Sequence, residues 1–69
     1  MKIIIAENLK MFRKELALSQ RKLAEAIGVS QRSISEWEHE KREPAVCYLW
    51  LLADLFGVSI DTLCGRTEW

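Results

Sequence analysis

The sequence predicts an all-α domain of five short helices around one small core, and three observations carry that prediction. Apolar residues recur at three- and four-residue intervals almost throughout, the spacing of one helix face rather than the alternation of a strand. Serines stand directly ahead of three of these runs (Ser19, Ser30 and Ser59), and glycines directly follow two of them (Gly28 and Gly57). These are the residues that cap helix starts and ends. The single proline, Pro44, falls between two runs, where it interrupts nothing.

Taken in order, Leu9, Phe12 and Leu16 lie at i, i+3 and i+7, one face of a first helix from residue 5 or 6 to 16. Leu18 follows a short turn. Ser19 caps a second helix, Gln20 to Ala26, with Leu23, Ala24 and Ile27 inside. Gly28 supplies a positive φ that ends it, and Val29 plugs the turn. Ser30 caps a third helix, Gln31 to about Glu38, in which Ile34 and Trp37 face inward with Ile27 and Val29. Pro44 suits a first helical turn, so a fourth helix is expected from Pro44 or Ala45 to Phe56, ended by Gly57. Ser59 caps a fifth through Leu63, with Asp61 in the first turn, where the helix dipole favours negative charge. KIII at the N-terminus is β-prone, and reads either as a frayed extension of the first helix or as a strand that pairs with its own copy.

Sixty-nine residues make one domain, residues 1–69, near the lower size limit for folding without staples. Apolar residues are 49% of the chain, which favours a packed fold over disorder. No run approaches the ~18 apolar residues of a membrane span, and MKIII is too short for a signal-peptide core. The expectation is a soluble, cytoplasmic protein without a membrane partner. Cys47 and Cys64 form no Cys-x-x-Cys pair, and with His39 the only histidine no four-ligand zinc site can be assembled. Both thiols are expected partly buried and reduced; no metal and no cofactor is expected. With no phosphate-cradling glycine loop and no nucleophile–base pair, an enzyme is not expected either. Net charge is zero, but the distribution is uneven. Residues 1–42 hold nine Lys/Arg against six Glu, and residues 43–69 hold Arg66 against Glu43, Asp54, Asp61 and Glu68. The halves therefore carry +3 and −3, a dipole that the net sum hides.

Two short helices joined by Gly28-Val29-Ser30 form a helix-turn-helix unit over about residues 20–38. The stretch LSQRKLAEAIGVSQRSISEWEHEKREP resembles the phage-repressor and Cro type of helix-turn-helix, the XRE family. Gln20, Leu23-Ala24, Gly28-Val29-Ser30, Ile34, Glu38 and Pro44 are all in register, and the resemblance runs from about Leu9 to Leu63. It implies a compact, five-helix, lambda-repressor-like domain that binds double-stranded DNA.

On the third helix Gln31, Arg32, Ser35, Glu36 and His39 form one polar stripe opposite the core face. Its amide, guanidinium, hydroxyl and carboxylate groups suit the donor and acceptor edges of a major groove. By the resemblance, Gln31, Arg32 and Glu36 sit where the family reads bases, with Ser35 beside them. Arg32 is expected on guanine and Gln31 on adenine. Glu36 either accepts from a cytosine amino group or pairs with Arg32 one turn back. Glu38 turns inward, and the resemblance pairs it with Arg13 on the first helix. Gln20 resembles the family's phosphate-binding glutamine, and Arg21, Lys22, Ser30, Ser33, Lys41 and Arg42 complete the expected phosphate clamp. Glu40 and Ala17 stand where the family commonly has glycine in a positive-φ turn.

The fourth helix is apolar nearly all round. Val46, Leu49, Trp50, Leu52, Ala53 and Phe56 are assigned to its inner face, leaving Cys47, Leu51 and Leu55 outside with Tyr48 beside them. Such a stripe, with the trailing GRTEW closing over it or joining it, suggests a homodimer interface. The expected function is a sequence-specific transcriptional regulator, most simply a repressor that occludes an operator. The alternative is a protein-interaction module on the same fold. No residue pattern points to a small-molecule effector.

Overall fold

The computed structural model describes residues Ile5–Gly65. Of the β-prone start only Ile5, which opens the first helix, is described, and the GRTEW tail beyond Gly65 lies outside the described residues. Five helices follow in order: α1 Ile5–Glu15, α2 Gln20–Ile27, α3 Gln31–Glu38, α4 Val46–Phe56 and α5 Ile60–Leu63. No strand occurs among the described residues.

Local chemistry accounts for the boundaries. Ser19, Ser30 and Ser59 each sit in extended backbone, and each hydroxyl accepts from the backbone N–H three residues on, at Lys22, Ser33 and Thr62. Each such cap satisfies a donor that the helix start leaves orphaned, worth ~1 kcal/mol. Gly28 at φ 77° and Gly57 at φ 71° turn the chain out of α2 and α4 in the left-handed region. Two other left-handed turns are made without glycine, by Ala17 at φ 56° and Glu40 at φ 61°.

Leu9, Leu23, Ala24, Ile34, Trp37, Leu52, Ala53 and Leu63 form the buried core, drawn from all five helices. Phe12 and Phe56 meet across α1 and α4 with ring centroids 5.5 Å apart, and Trp37 meets Tyr48 at 5.6 Å. Asn8 adds a polar tie, its Nδ2 donating to the carbonyls of Thr62 at 3.3 Å and Leu63 at 3.0 Å. These carbonyls lie at the C-terminal end of the short α5, where that of Thr62 also accepts from the N–H of Gly65 at 3.0 Å. α2 and α3 pack chiefly on each other, with α1 against α3, and α4 packs on α5, α1 and α2.

Four expectations need correction. Leu16 is exposed, because α1 ends at Glu15 and the Ala17 turn carries the chain away; half-buried Leu18 packs on the core instead. Pro44 precedes the Ala45 N-cap and is buried, so it sits outside α4 rather than in its first turn. Val46 and Trp50 are 71% and 62% exposed, not inward. The inner arc of α4 is filled by Leu49, Leu52, Ala53 and Phe56, at i, i+3, i+4 and i+7, and the other two fall past its edge. Cys47 is exposed, while Cys64 is half-buried as expected.

Candidate nucleic-acid interface

The inner side of the helix-turn-helix is locked by one charged cluster. Arg13 from α1 grips Glu38 side-on, Nε donating to Oε2 at 2.6 Å and Nη2 to Oε1 at 3.2 Å. Its Nη1 donates to the carbonyl of Leu18 at 2.8 Å, and Gln20 Nε2 donates to Glu38 Oε1 at 3.1 Å. The side chains of Arg13 and Glu38 are 11% and 2% exposed. A carboxylate this deep is tolerated because each oxygen accepts a charge-assisted or amide hydrogen bond. The cluster ties α1, the α1–α2 turn, the start of α2 and the end of α3 to one point. It thereby fixes how α3 projects from the domain.

The outer side of α3 is polar and open. Gln31 and Arg32 are exposed at its first turn, with Ser35 and Glu36 partly shielded one turn on. Arg32, Ser35, Glu36, His39 and Lys41 line an open depression between α3 and the following loop. His39 Nδ1 lies 2.7 Å from the carbonyl of Ser35 and 3.4 Å from its hydroxyl. A carbonyl only accepts, so the first contact is a hydrogen bond only in the tautomer with the proton on Nδ1. Glu36 does not stand free: Arg32 Nε donates to its Oε2 at 3.3 Å and Arg42 Nη1 to its Oε1 at 3.5 Å. The pairing with Arg32 is one of the two readings open from the sequence; Arg42 as a second partner was not anticipated.

The residues assigned to phosphate form two groups. Ser30 and Ser33 flank the start of α3, their hydroxyls 3.1 Å apart, with Ser33 N–H donating to Ser30 Oγ at 3.2 Å. Arg21 and Lys22 are exposed on α2, Arg21 with its Nε 3.4 Å from Glu25 Oε2. Lys41 and Arg42 are exposed in the loop after α3, near the outward-facing acids Glu40 and Glu43. Gln20 differs from the rest, because its amide nitrogen is already engaged by Glu38. That bond was missed from sequence, since nothing in the spacing brings residue 20 to residue 38. The four residues assigned to a dimer interface are all on α4. Cys47, Leu51 and Leu55 are exposed, and Tyr48 is half-buried against Trp37.

Among the described residues no group of His, Cys, Asp and Glu is arranged to hold a metal, and no helix is long and apolar enough to cross a membrane.

A tight two-helix unit inside a five-helix frame, with a capped and outward-facing second helix, defines a helix-turn-helix domain. The chain belongs to the XRE-type helix-turn-helix family, whose family model, described as Helix-turn-helix, matches residues 9–63. It is similar to the cryptic phage CTXphi transcriptional repressor RstR of Vibrio cholerae, 37% identical over 62 residues that cover 90% of this chain and 55% of that protein. It is also similar to the HTH-type transcriptional regulator YobD of Bacillus subtilis, 36% identical over 62 residues covering 90% and 55%. The P22 c2 repressor in complex with a synthetic operator has the same fold, with a TM-score of 0.85 and 32% identity over 91% of this chain and 96% of that one. The chain spans about half the length of the curated relatives it matches first.

Proposed function

We propose that this chain is a sequence-specific, double-stranded DNA-binding transcriptional regulator, most simply a repressor that occludes its operator. The observation that carries the reading is the outer face of α3. It is capped by Ser30, held at a fixed angle by the buried Arg13–Glu38 cluster, and lined with groups that match base edges. In this reading α3 enters the major groove and presents Gln31, Arg32 and Ser35 to the bases, with Glu36 beside Arg32 on the same face. Gln20, Arg21, Lys22, Ser30, Ser33, Lys41 and Arg42 approach the phosphates on either side. Relatives named as repressors, and a repressor of this fold bound to its operator, support it.

The chain acts as a homodimer in this proposal. Val46, Cys47, Trp50, Leu51 and Leu55 make an exposed apolar stripe along α4. A second copy that covers it would place two α3 helices for half-sites about 34 Å apart. Trp50 takes the central place on that stripe, in the part of an interface where truncating an aromatic anchor costs most.

Anisotropy titration against random-sequence duplex at low salt, followed by selection from a random library, tests DNA binding. No binding at tens of micromolar protein would sink the proposal, because nonspecific affinity is detectable in that range. Light scattering of wild type and Trp50→Ala across a concentration series tests the dimer. A mass that stays monomeric at the concentration that saturates DNA would remove it.

A further inference from the structure

Glu36, Arg32 and Arg42 form an Arg–Glu–Arg cluster on the outer side of α3. The cluster is built from two elements: Arg32 and Glu36 from the helix, Arg42 from the loop beyond it. The Glu36 side chain is 19% exposed, whereas Arg32 and Arg42 are 85% and 71% exposed. The acid is thus shielded between two outward-reaching cations. Its backbone takes part as well, since the Glu36 carbonyl accepts from the N–H of Lys41 at 2.9 Å and of Arg42 at 3.4 Å. Glu36 therefore ties the loop that carries Lys41 and Arg42 to the helix that carries Arg32.

We propose that Glu36 is a positioning residue that aims Arg32 and restrains Arg42, and that it sets sequence discrimination without itself reading a base. The inference deepens the DNA-binding reading and rests on it. Guanidinium geometry gives the first reason. Glu36 occupies Nε of Arg32, the inner edge of the fork, and among the described residues no hydrogen bond engages the Nη pair. That end-on pair is the one that meets the O6 and N7 of guanine. A long side chain held in one rotamer loses less freedom when it binds, so the correct base gains relative to the wrong one.

Competition gives the second reason. Contacts of 3.3 and 3.5 Å are long for charge-assisted hydrogen bonds, so a ligand can replace them. A guanine fork leaves the Nε contact in place, because it uses the other edge of Arg32. A phosphate of a random sequence has to draw Arg32 or Arg42 away from a carboxylate that also repels it. Glu36 thus lowers nonspecific affinity and leaves specific affinity nearly unchanged, which is discrimination by a repulsive element.

The test compares wild type, Glu36→Gln, Arg32→Ala, Arg42→Ala and the Glu36→Gln/Arg32→Ala pair. Glutamine keeps the size of the side chain and removes the charge. Each protein is titrated against the duplex that wild type selects and against random-sequence duplex, over a range of salt. Each is also passed through the same random-library selection, and thermal unfolding is recorded in parallel. For Glu36→Gln we expect random-sequence binding about 3- to 10-fold tighter and a salt slope steeper by about one phosphate contact. We also expect a loss of base preference at the position that Arg32→Ala erases, with little further loss in the double variant. Arg42→Ala is expected to weaken random-sequence binding while it keeps that base preference.

Three outcomes overturn the inference while leaving DNA binding intact. The first is a Glu36→Gln variant that matches wild type within twofold in both titrations; the second is a loss that falls on a cytosine position that Arg32→Ala leaves alone, so that Glu36 reads a base directly; the third is a drop in melting temperature with a uniform loss of binding, so that Glu36 only supports the fold. Should wild type itself neither select a sequence nor bind random duplex, the DNA-binding reading fails first and this inference goes with it.

Discussion

Glu36 and Glu38 stand two residues apart on α3, and each meets an arginine from outside its own turn, yet the two settings differ in nearly every physical respect. Glu38 points into the domain, is 2% exposed and receives hydrogen bonds from Arg13 and Gln20 at 2.6 to 3.2 Å. Glu36 points out, and its arginines reach it at 3.3 and 3.5 Å while remaining mostly in solvent. The first pair is desolvated, so its geometry is paid for in advance and is costly to break. The second is screened by water, contributes little to folding and stays available to a ligand. One turn of helix carries both uses of the same chemistry. The face it lies on decides which use a carboxylate serves.

The largest effect should therefore come from the inner pair. Glu38→Ala leaves the Arg13 guanidinium buried without its partner, a loss of ~3–5 kcal/mol. A domain of this size holds ~3–5 kcal/mol in total, so the variant should be largely unfolded at 37 °C by circular dichroism. Glu36→Ala should stay within ~0.5 kcal/mol of wild type in urea unfolding, as an exposed pair allows. Equal losses at the two positions would erase the distinction between them.

The next effect belongs to the outer face. Arg32→Ala is predicted to lose ~1–3 kcal/mol of discrimination at one base position, read by competition between the selected duplex and its single-base variants. Its unfolding midpoint should not move, whereas Arg13→Ala should lower the midpoint sharply. If Arg32→Ala unfolds early and still selects the same sequence, α3 is not the reading helix.

The inner face was legible before the structure, and the outer face only partly so. Ser19, Ser30, Ser59, Gly28 and Gly57 mark helix ends by chemistry local to each residue, so the five helices were readable within a residue or two. Val46 and Trp50 were misplaced because α4 is apolar nearly all round, so period alone cannot say where the inner arc stops. Leu16 was misplaced because the three- and four-residue period carries the α1 face on to residue 16, whereas α1 ends at Glu15 as the chain enters the left-handed turn at Ala17. The partners of Glu36 and Gln20 share another difficulty. Arg42 reaches back from a loop, and Gln20 meets Glu38 across two helices, contacts that follow from tertiary placement alone.

A third measurement separates positioning from reading within the outer face. Lys41→Ala should weaken binding to every duplex alike and lower the salt slope by about one contact, without altering the selected sequence. Arg21→Ala should do less, because Arg21 already has Glu25 as a partner on its own helix. A sequence preference that changes with Lys41→Ala would move the loop from the phosphates to the bases.

The smallest effect tests the two left-handed turns that lack glycine, one near each face. Ala17 closes α1 beside the Arg13–Leu18 contact, and Glu40 turns the chain between α3 and Lys41. A side chain at such a φ costs ~1–2 kcal/mol, and glycine returns part of that through its freer unfolded chain. Ala17→Gly and Glu40→Gly should each gain ~0.5–1 kcal/mol, or roughly 2–8 °C in melting temperature. They should diverge on DNA. Glu40→Gly also removes a negative charge next to Lys41 and Arg42, so random-sequence binding should tighten, while Ala17→Gly leaves it unchanged. A gain at Ala17 with none at Glu40 would mean that the Glu40 side chain returns to the loop what its backbone costs.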